Sequence, residues 1–196
     1  QEEKLSVVQA DLSAAKEQYE GVRNEFEQIT KENHMGLLNT FYPSEIQEST
    51  YVIDFESWKK KGYKGVIFDV DNTLVPHDAP ADERSIALFC RLRELGYSTM
   101  LLSNNKEPRV KKFGGKVGSS YIYKAGKPGT KNYYKAMEEM GTTPQTTIFV
   151  GDQLFTDVWG AKRAGIHSIL VKPIHPKEEI QIVLKRYLEK IVLFFY

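Results

Sequence analysis

Two aspartates placed two residues apart at the end of an apolar run constrain this chain more than any other feature. Residues 66–68 are Val-Ile-Phe and lead directly into Asp69-Val70-Asp71, after which Asn72 begins a polar turn. A short apolar run that ends in turn residues is typical of a buried strand, and alternate residues of a strand share a face. Asp69 and Asp71 are therefore expected to lie together at the strand's carboxyl end, where two carboxylates need a cation or a shared proton. The ordinary alternative is an exposed turn built from Asp and Asn.

Three more polar clusters follow apolar runs further along the chain. The side chains concerned are Ser103, Asn104, Lys127, Asp152 and Asp157. Ligand sites in open α/β sheets lie beyond the carboxyl ends of the strands, so all of these side chains could converge on one sheet edge. Taken singly, each has an ordinary interpretation as a helix cap, a turn residue or an exposed lysine.

Predicted strands alternate with predicted helices along most of the chain. The strands are at residues 64–70, 97–102, 120–123, 146–150 and 167–171, and the helices at 82–95, 107–113, 129–140, 156–164 and 176–195. This alternation favours an α/β fold in three layers, with a parallel sheet of about five strands. A short helix capped by Asp54 and closed by Gly62 is expected before the first of these strands.

Residues 1–34 have a different pattern. Apolar side chains recur there at alternating spacings of three and four, at Leu5, Val8, Leu12, Ala15, Tyr19, Val22, Phe26 and Ile29. This spacing predicts a coiled-coil helix of about four heptads that self-associates through residues 5–29. The segment is expected to be an appended fusion, with residues 35–196 forming the main domain. A natural oligomerisation arm and a single amphipathic helix packed on the domain are the alternatives.

Composition narrows the function classes. The net charge of +1 does not favour a nucleic-acid partner. The single cysteine, Cys90, excludes an internal disulfide and fits a reducing compartment, and its apolar surroundings predict that it is buried. We find neither a secretory signal nor a run of ~18 apolar residues that could span a membrane. A cytoplasmic or organelle-matrix location is expected, with peripheral membrane contact left open.

The four motifs together resemble those of the haloacid dehalogenase superfamily in both order and type. They are Asp-Val-Asp-Asn-Thr-Leu-Val, Leu-Ser-Asn-Asn, Lys-Ala-Gly-Lys-Pro and Gly-Asp-Gln-Leu-Phe-Thr-Asp. The closer resemblance is to the YqeG-like phosphatases, a branch that includes mitochondrial phosphatidylglycerophosphate phosphatases, and it covers residues 36–173. Many superfamily members have glycine where this chain has Asn72. Asparagine tolerates the left-handed backbone region better than most residues, so no loss of function is expected there.

The resemblance implies a Rossmann-like fold and a phosphatase that works through an aspartyl phosphate. Asp69 would be the nucleophile, and Asp71 the general acid and base. Mg²⁺ would be held by Asp69, the backbone carbonyl of Asp71 and Asp152, with Asp157 orienting these ligands. The residues that bind the phosphoryl group would be Ser103, Asn104 and Lys127.

The spacing of the motifs predicts an open site. Only 33 residues separate Asp69 from Ser103, and 23 separate Ser103 from Lys127. A strand and a helix use most of each interval, so a separate cap domain does not fit. Residues 73–81 can supply no more than a small helper loop. An open site suits a phosphate carried by something large, and a phospholipid headgroup is expected from the resemblance. A soluble sugar or nucleotide phosphate, or a non-catalytic scaffold, are the alternatives.

Two apolar segments leave the choice between a membrane and the protein core open, and a basic cluster has its own set of alternatives. Residues 37–42 and 191–196 are apolar and aromatic, and the basic cluster Lys106, Arg109, Lys111 and Lys112 follows Ser103. Basic and aromatic segments bind anionic membrane surfaces through combined burial and charge. The apolar segments could equally pack on the sheet. The basic cluster could contact a second phosphate or an anionic surface, or could be a solvated helix face.

Overall fold

A six-stranded parallel sheet forms the centre of the chain in this computed structural model, which describes residues 39–175 together with Glu189 and Leu193. The strands are β1 (Glu45–Gln47), β2 (Gly65–Phe68), β3 (Ser98–Leu102), β4 (Ser120–Ile122), β5 (Thr147–Gly151) and β6 (His167–Val171). Their order is β1-β6-β5-β2-β3-β4, and every pair is parallel. The carboxyl ends of all six strands therefore meet at one edge.

The central strands are buried on both faces, which explains their continuous apolar sequences. Val66 and Phe68 of β2 face one core layer, together with Phe89, whereas Ile67 faces the opposite layer with Phe149. All five of these side chains are fully buried. The sheet thus separates two hydrophobic cores and holds the carboxyl end of β2 firmly between them.

Helices cover the two faces of the sheet. They are α1 (Phe55–Lys60), α2 (Glu83–Glu94), α3 (Glu107–Val117), α4 (Lys131–Met140) and α5 (Trp159–Arg163), with 3-10 turns at Thr50–Val52 and Pro144–Thr146. Asp54 caps α1 through the Ser57 amide, as its sequence predicts. Asp82 and Ser85 form a reciprocal cap at the start of α2. A π-helical turn, Leu154–Val158, precedes α5 where the sequence predicts a regular helix.

Two details of the fold differ from the sequence-based expectation. β1 is a sixth strand that pairs with β6, and it was missed because it has three residues, two of them polar. Cys90 is exposed rather than buried. It lies on the solvent face of α2, directly after the fully buried Phe89, so the apolar stretch around it exceeded what the core could bury.

The amino-terminal coil and most of the predicted carboxyl-terminal helix lie outside the described residues. Within them, we find no helix that is long and apolar enough to cross a membrane. Phe41, from one of the two segments considered for membrane contact, instead packs against Phe155 and Trp159 with ring centroids 5.2 Å apart in both pairs. Glu189 is buried and accepts a hydrogen bond from the Leu154 amide at 2.7 Å.

Candidate active site

The carboxyl edge of the sheet carries a polar cavity of about 250 Å³ between the ends of β2, β3 and β5. Five of the predicted site residues line it: Asp69, Asp71, Ser103, Asn104 and Lys127. Asp69 extends the ladder beyond β2, because its amide donates to the Val150 carbonyl at 3.0 Å. The backbone of Asp69 is therefore held by the sheet while its side chain reaches the cavity.

Lys127 joins two buried carboxylates. Its Nζ donates to Asp69 Oδ1 at 2.6 Å and to Asp157 Oδ1 at 2.7 Å, and the Lys127 side chain is 3% exposed. Burial alone would lower the pKa of Lys127, but the carboxylates of Asp157 and Asp69 outweigh this and raise it. The ammonium is therefore a permanent positive charge beside Asp69.

Burial dominates the electrostatics of Asp69. It raises the pKa of this carboxyl group from 3.8 to about 7, with Lys127 opposing the shift and Asp157 adding to it. The ionised form of Asp69 is thus held only weakly by its protein neighbours. A further cation at this position would favour the carboxylate.

Close backbone packing positions Asp157. A Cβ added to Gly151 would lie 2.5 Å from Asp157 Oδ2 and 2.7 Å from its Cβ, so only glycine at 151 leaves room for this side chain. The Gln153 amide donates to Asp157 Oδ2 at 3.1 Å, and the buried Tyr133 hydroxyl donates to the Asp157 carbonyl at 3.2 Å. The π-helical turn thereby aims the Asp157 carboxylate back at Lys127.

Three buried carboxylates form a group that fits a divalent cation. Asp69, Asp152 and Asp157 each offer an oxygen, and these oxygens lie within 4.8 Å of one another. Asp152 Oδ1 also accepts a hydrogen bond from Thr73 Oγ1 at 3.1 Å. Lys127 brings one positive charge against three negative ones, and buried carboxylate oxygens are the ligands that Mg²⁺ prefers. The site can therefore hold Mg²⁺.

Asp71 lies in the same cavity, but its carboxylate is held by a different set of groups. Arg109 donates to Oδ1 at 3.0 Å, the Asp78 amide donates to Oδ1 at 2.8 Å, and Asn105 Nδ2 donates to Oδ2 at 2.6 Å. The structure therefore places the Asp71 side chain apart from the three grouped carboxylates. The predicted contact between a metal and the Asp71 backbone carbonyl stays a prediction.

The two residues predicted to follow β3 have different surroundings. Ser103 is 2% exposed, and its Oγ accepts a hydrogen bond from the Asn105 amide at 3.2 Å. Asn104 instead binds the backbone of Lys127 twice, at 2.9 Å through its Oδ1 and at 3.3 Å through its Nδ2. Asn104 thus fixes the loop that carries Lys127.

Asn72 adopts the left-handed conformation that its sequence position suggested, with φ 61°. Its amide donates to the Val75 carbonyl at 2.7 Å, and its own carbonyl accepts from the Ile174 amide at 3.0 Å. Its side-chain oxygen accepts from the His175 amide at 3.3 Å. A glycine here would keep the turn and lose this last contact, which ties the turn after β2 to the chain after β6.

The site is open in the part of the chain that the structure describes. The connection from β2 to α2 contains only the loop at residues 73–81, as its length predicts. The Thr50 hydroxyl donates to the Thr73 carbonyl at 2.8 Å, and the Tyr51 hydroxyl donates to the Leu74 carbonyl at 2.5 Å. These contacts anchor the start of the loop and leave the cavity accessible.

Sequence reasoning missed four side chains or groups that complete the site. They are Thr73, the Asp78 amide, Asn105 and Arg109. Arg109 was placed in a basic cluster facing a second phosphate, an anionic surface or solvent, but it is 17% exposed and pairs with Asp71. No local pattern separates Arg109 from the neighbouring lysines, because Asn105 precedes the extended cap residue Lys106 and helical spacing does not apply between Asn105 and Arg109.

Comparisons with known proteins show which family this chain resembles in sequence. Residues 76–165 match the family model of the haloacid dehalogenase-like hydrolases. The chain is 38% identical over 158 residues to the probable phosphatase YqeG of Bacillus subtilis, covering 80% of this chain and 92% of that protein. It is 29% identical over 210 residues to the chloroplastic and mitochondrial phosphatidylglycerophosphate phosphatase 1 of Arabidopsis thaliana, covering 92% of this chain and 57% of that protein. A solved structure of a hypothetical protein from Xanthomonas campestris superposes with a TM-score of 0.49 at 16% identity, covering 66% of this chain and 77% of that one.

Proposed function

Because the chain belongs to the haloacid dehalogenase-like hydrolases and is a phosphatase of that family, we propose that it is a Mg²⁺-dependent phosphomonoesterase that works through an aspartyl phosphate on Asp69. The observation that carries this proposal is the buried group of Asp69, Asp152 and Asp157 around Lys127 at the carboxyl edge of the sheet. Phosphoryl transfer needs alignment and charge neutralisation above all, and this group offers both.

The metal would be held by Asp69, Asp152 and Asp157. When bound, Mg²⁺ would neutralise charge on the phosphoryl oxygens and favour the ionised form of Asp69. Lys127 would add a fixed positive charge beside Asp69, since its Nζ lies 2.6 Å from Asp69 Oδ1. The buried Ser103 hydroxyl lines the same cavity and would donate to a phosphoryl oxygen.

The reaction would proceed in two displacements. Asp69 attacks phosphorus, an oxygen–phosphorus bond forms, and the bond to the leaving alcohol breaks while Asp71 gives that oxygen a proton. In the second step Asp71 takes a proton from the attacking water, the water oxygen bonds to phosphorus, and the bond to Asp69 breaks. Inorganic phosphate leaves and both aspartates return to their starting forms.

We propose phosphatidylglycerophosphate as the substrate. Two observations support it: the similarity to the Arabidopsis phosphatidylglycerophosphate phosphatase 1, of which this chain spans about half the length, and the open site. An uncovered cavity accepts a phosphate that projects from a large surface, and an anionic membrane would present one. The membrane segments considered from the sequence lie mostly outside the described residues, so membrane association stays a proposal.

A phosphate panel tests the proposal. Purified protein with Mg²⁺ would be assayed against micellar phosphatidylglycerophosphate, glycerol 3-phosphate, a sugar phosphate and a nucleoside monophosphate, with Asp69→Asn as the control. We expect the highest kcat/KM for the phospholipid and a loss of several orders of magnitude in Asp69→Asn. Equal or better turnover of the soluble esters would favour a soluble substrate. Turnover of none of them by folded protein would favour a non-catalytic scaffold.

A further inference from the structure

Arg109 is a largely buried charge beside the cavity for which the proposed reaction has no role so far. It lies in the first turn of α3, and its Cζ lies 5.5 Å from the ring centre of Phe113. Its NH2 group donates to Asp71 Oδ1 at 3.0 Å, and its Nε lies 3.9 Å from Asp78 Oδ1. Among the described residues, that buried Nε has no hydrogen-bond partner. The guanidinium therefore contacts the side of the site that carries Asp71.

The two oxygens of Asp71 have different environments. Oδ1 accepts two hydrogen bonds, from Arg109 and from the Asp78 amide at 2.8 Å. Oδ2 accepts one, from Asn105 Nδ2 at 2.6 Å. Asn105 lines the cavity, whereas Arg109 is not among its lining residues. Oδ1 is therefore anchored to the protein frame, and Oδ2 is the oxygen on the cavity side.

We propose that Arg109 is a positioning residue that holds Asp71 Oδ1, so that Oδ2 is presented to the leaving-group oxygen. This inference rests on the proposed role of Asp71 as general acid. The proton leaves Oδ2 for the alcohol oxygen as the phosphorus–oxygen bond breaks, and it returns to Oδ2 from the attacking water. Asn105 can hydrogen-bond Asp71 in both its ionised and its protonated form. The Asn105 side-chain amide donates to the carboxylate and, after rotating by half a turn, accepts from the protonated acid.

Two other roles for Arg109 predict different effects of its loss on the turnover of substrates. As a purely structural tie between α3 and the loop at residues 73–81, it would affect all substrates equally. As a binding group for a second anion on the substrate, it would affect only substrates that carry one. A residue that orients the general acid affects substrates according to their leaving group, because poor leaving groups need a proton in the transition state and activated ones do not.

The experiment compares leaving groups. kcat/KM would be measured for an alkyl phosphate and for a nitrophenyl phosphate, neither of which has a second anion. For Arg109→Met we expect a loss of about 10²–10³-fold on the alkyl ester and less than about tenfold on the aryl ester, with partial recovery in Arg109→Lys, which keeps one charged donor. Lys116→Met, an exposed change on the same helix, should leave both values unchanged. If Arg109→Met does not fold, Arg109→Gln, which keeps a donor without charge, replaces it.

Asp71→Asn in the same assay distinguishes a failure of the Arg109 role from a failure of the general-acid role of Asp71. A selective loss on the alkyl ester in both Asp71→Asn and Arg109→Met supports the inference. A selective loss in Asp71→Asn with equal losses on both esters in folded Arg109 variants overturns the role of Arg109 alone. Equal losses on both esters in Asp71→Asn overturn the general-acid role itself, and with it the proposed mechanism.

Discussion

Replacing Lys127 with Met should destabilise the protein strongly, because two buried carboxylates would lose their shared cation. The substitution keeps an unbranched side chain of similar length and removes the charge. Nζ lies 2.6 and 2.7 Å from the oxygens of Asp69 and Asp157, where two unit charges attract by about 6 kcal/mol per pair at an effective dielectric of about 20. The cost of desolvating the ammonium offsets much of this, and breaking a buried pair costs about 3–5 kcal/mol net. We expect a loss of that size in the free energy of unfolding.

The loss should depend on pH. The folded-state pKa of Asp69 is about 7, above its usual value of 3.8, so the folded protein binds the proton more tightly between these values. The free energy of unfolding therefore falls as the pH rises from about 4 to about 7. Lys127 lowers the pKa of Asp69, so without it this fall should continue to a higher pH. Lys127→Met should accordingly lie closer to wild type at pH 5 than at pH 8.

Urea unfolding in the presence of a chelator measures both effects. Lys124→Met is the matched control, because Lys124 is exposed and lies three residues away in the same loop, and its replacement should leave stability unchanged. A Lys127→Met protein within about 0.5 kcal/mol of wild type at pH 8, the range of an ordinary surface substitution, would refute the expected cost of breaking the buried ion pairs.

The remaining predictions concern packing, metal and assembly. Gly151→Ala should displace Asp157, lower the free energy of unfolding by about 1–3 kcal/mol and remove most of the activity. Gly115→Ala is the control, because its added Cβ meets nothing within 4 Å, and it should keep both stability and activity. Equal behaviour of the two variants would contradict the close approach of Gly151 to Asp157. Mg²⁺ should raise the thermal midpoint more at pH 8 than at pH 6, because the proton on Asp69 competes with the cation; no shift at either pH would contradict the metal site. Deleting residues 1–34 should change the oligomeric state in light scattering and leave activity per site within about twofold, as for a self-associating coil; a monomeric full-length chain would contradict the coil.

The strands that could be predicted from the sequence are those whose apolar pattern matches their burial in the folded protein. β2 and β5 are continuous apolar runs between two cores, and their polar successors Asp69 and Asp152 had to emerge at the sheet edge. β1 was not predicted, because three residues are too few to show the alternation or apolar run that indicates a strand. Cys90 was misplaced because the apolar stretch around it is longer than the buried face of α2.

The contacts within the site were harder to predict, because they join residues far apart in the chain. Lys127 and Asp157 were assigned separately to phosphate binding and metal orientation, and their direct ion pair follows from the π-helical turn and the missing side chain at Gly151. Arg109 was grouped with neighbouring lysines by charge. Only the direction of α3 relative to β2 separates it from them and brings it to Asp71.

Trapping the covalent intermediate tests whether Asp69 carries an aspartyl phosphate during turnover. Protein mixed with substrate and Mg²⁺ would be quenched during turnover, and borohydride would reduce any acyl phosphate to an alcohol, which converts the aspartate to homoserine. Peptide mass mapping then locates the change. We expect homoserine at position 69 in the wild-type protein and none in Asp69→Asn. Reduction at another carboxylate, or active wild-type protein that yields no acyl phosphate while a known aspartyl phosphate is trapped in parallel, would contradict it.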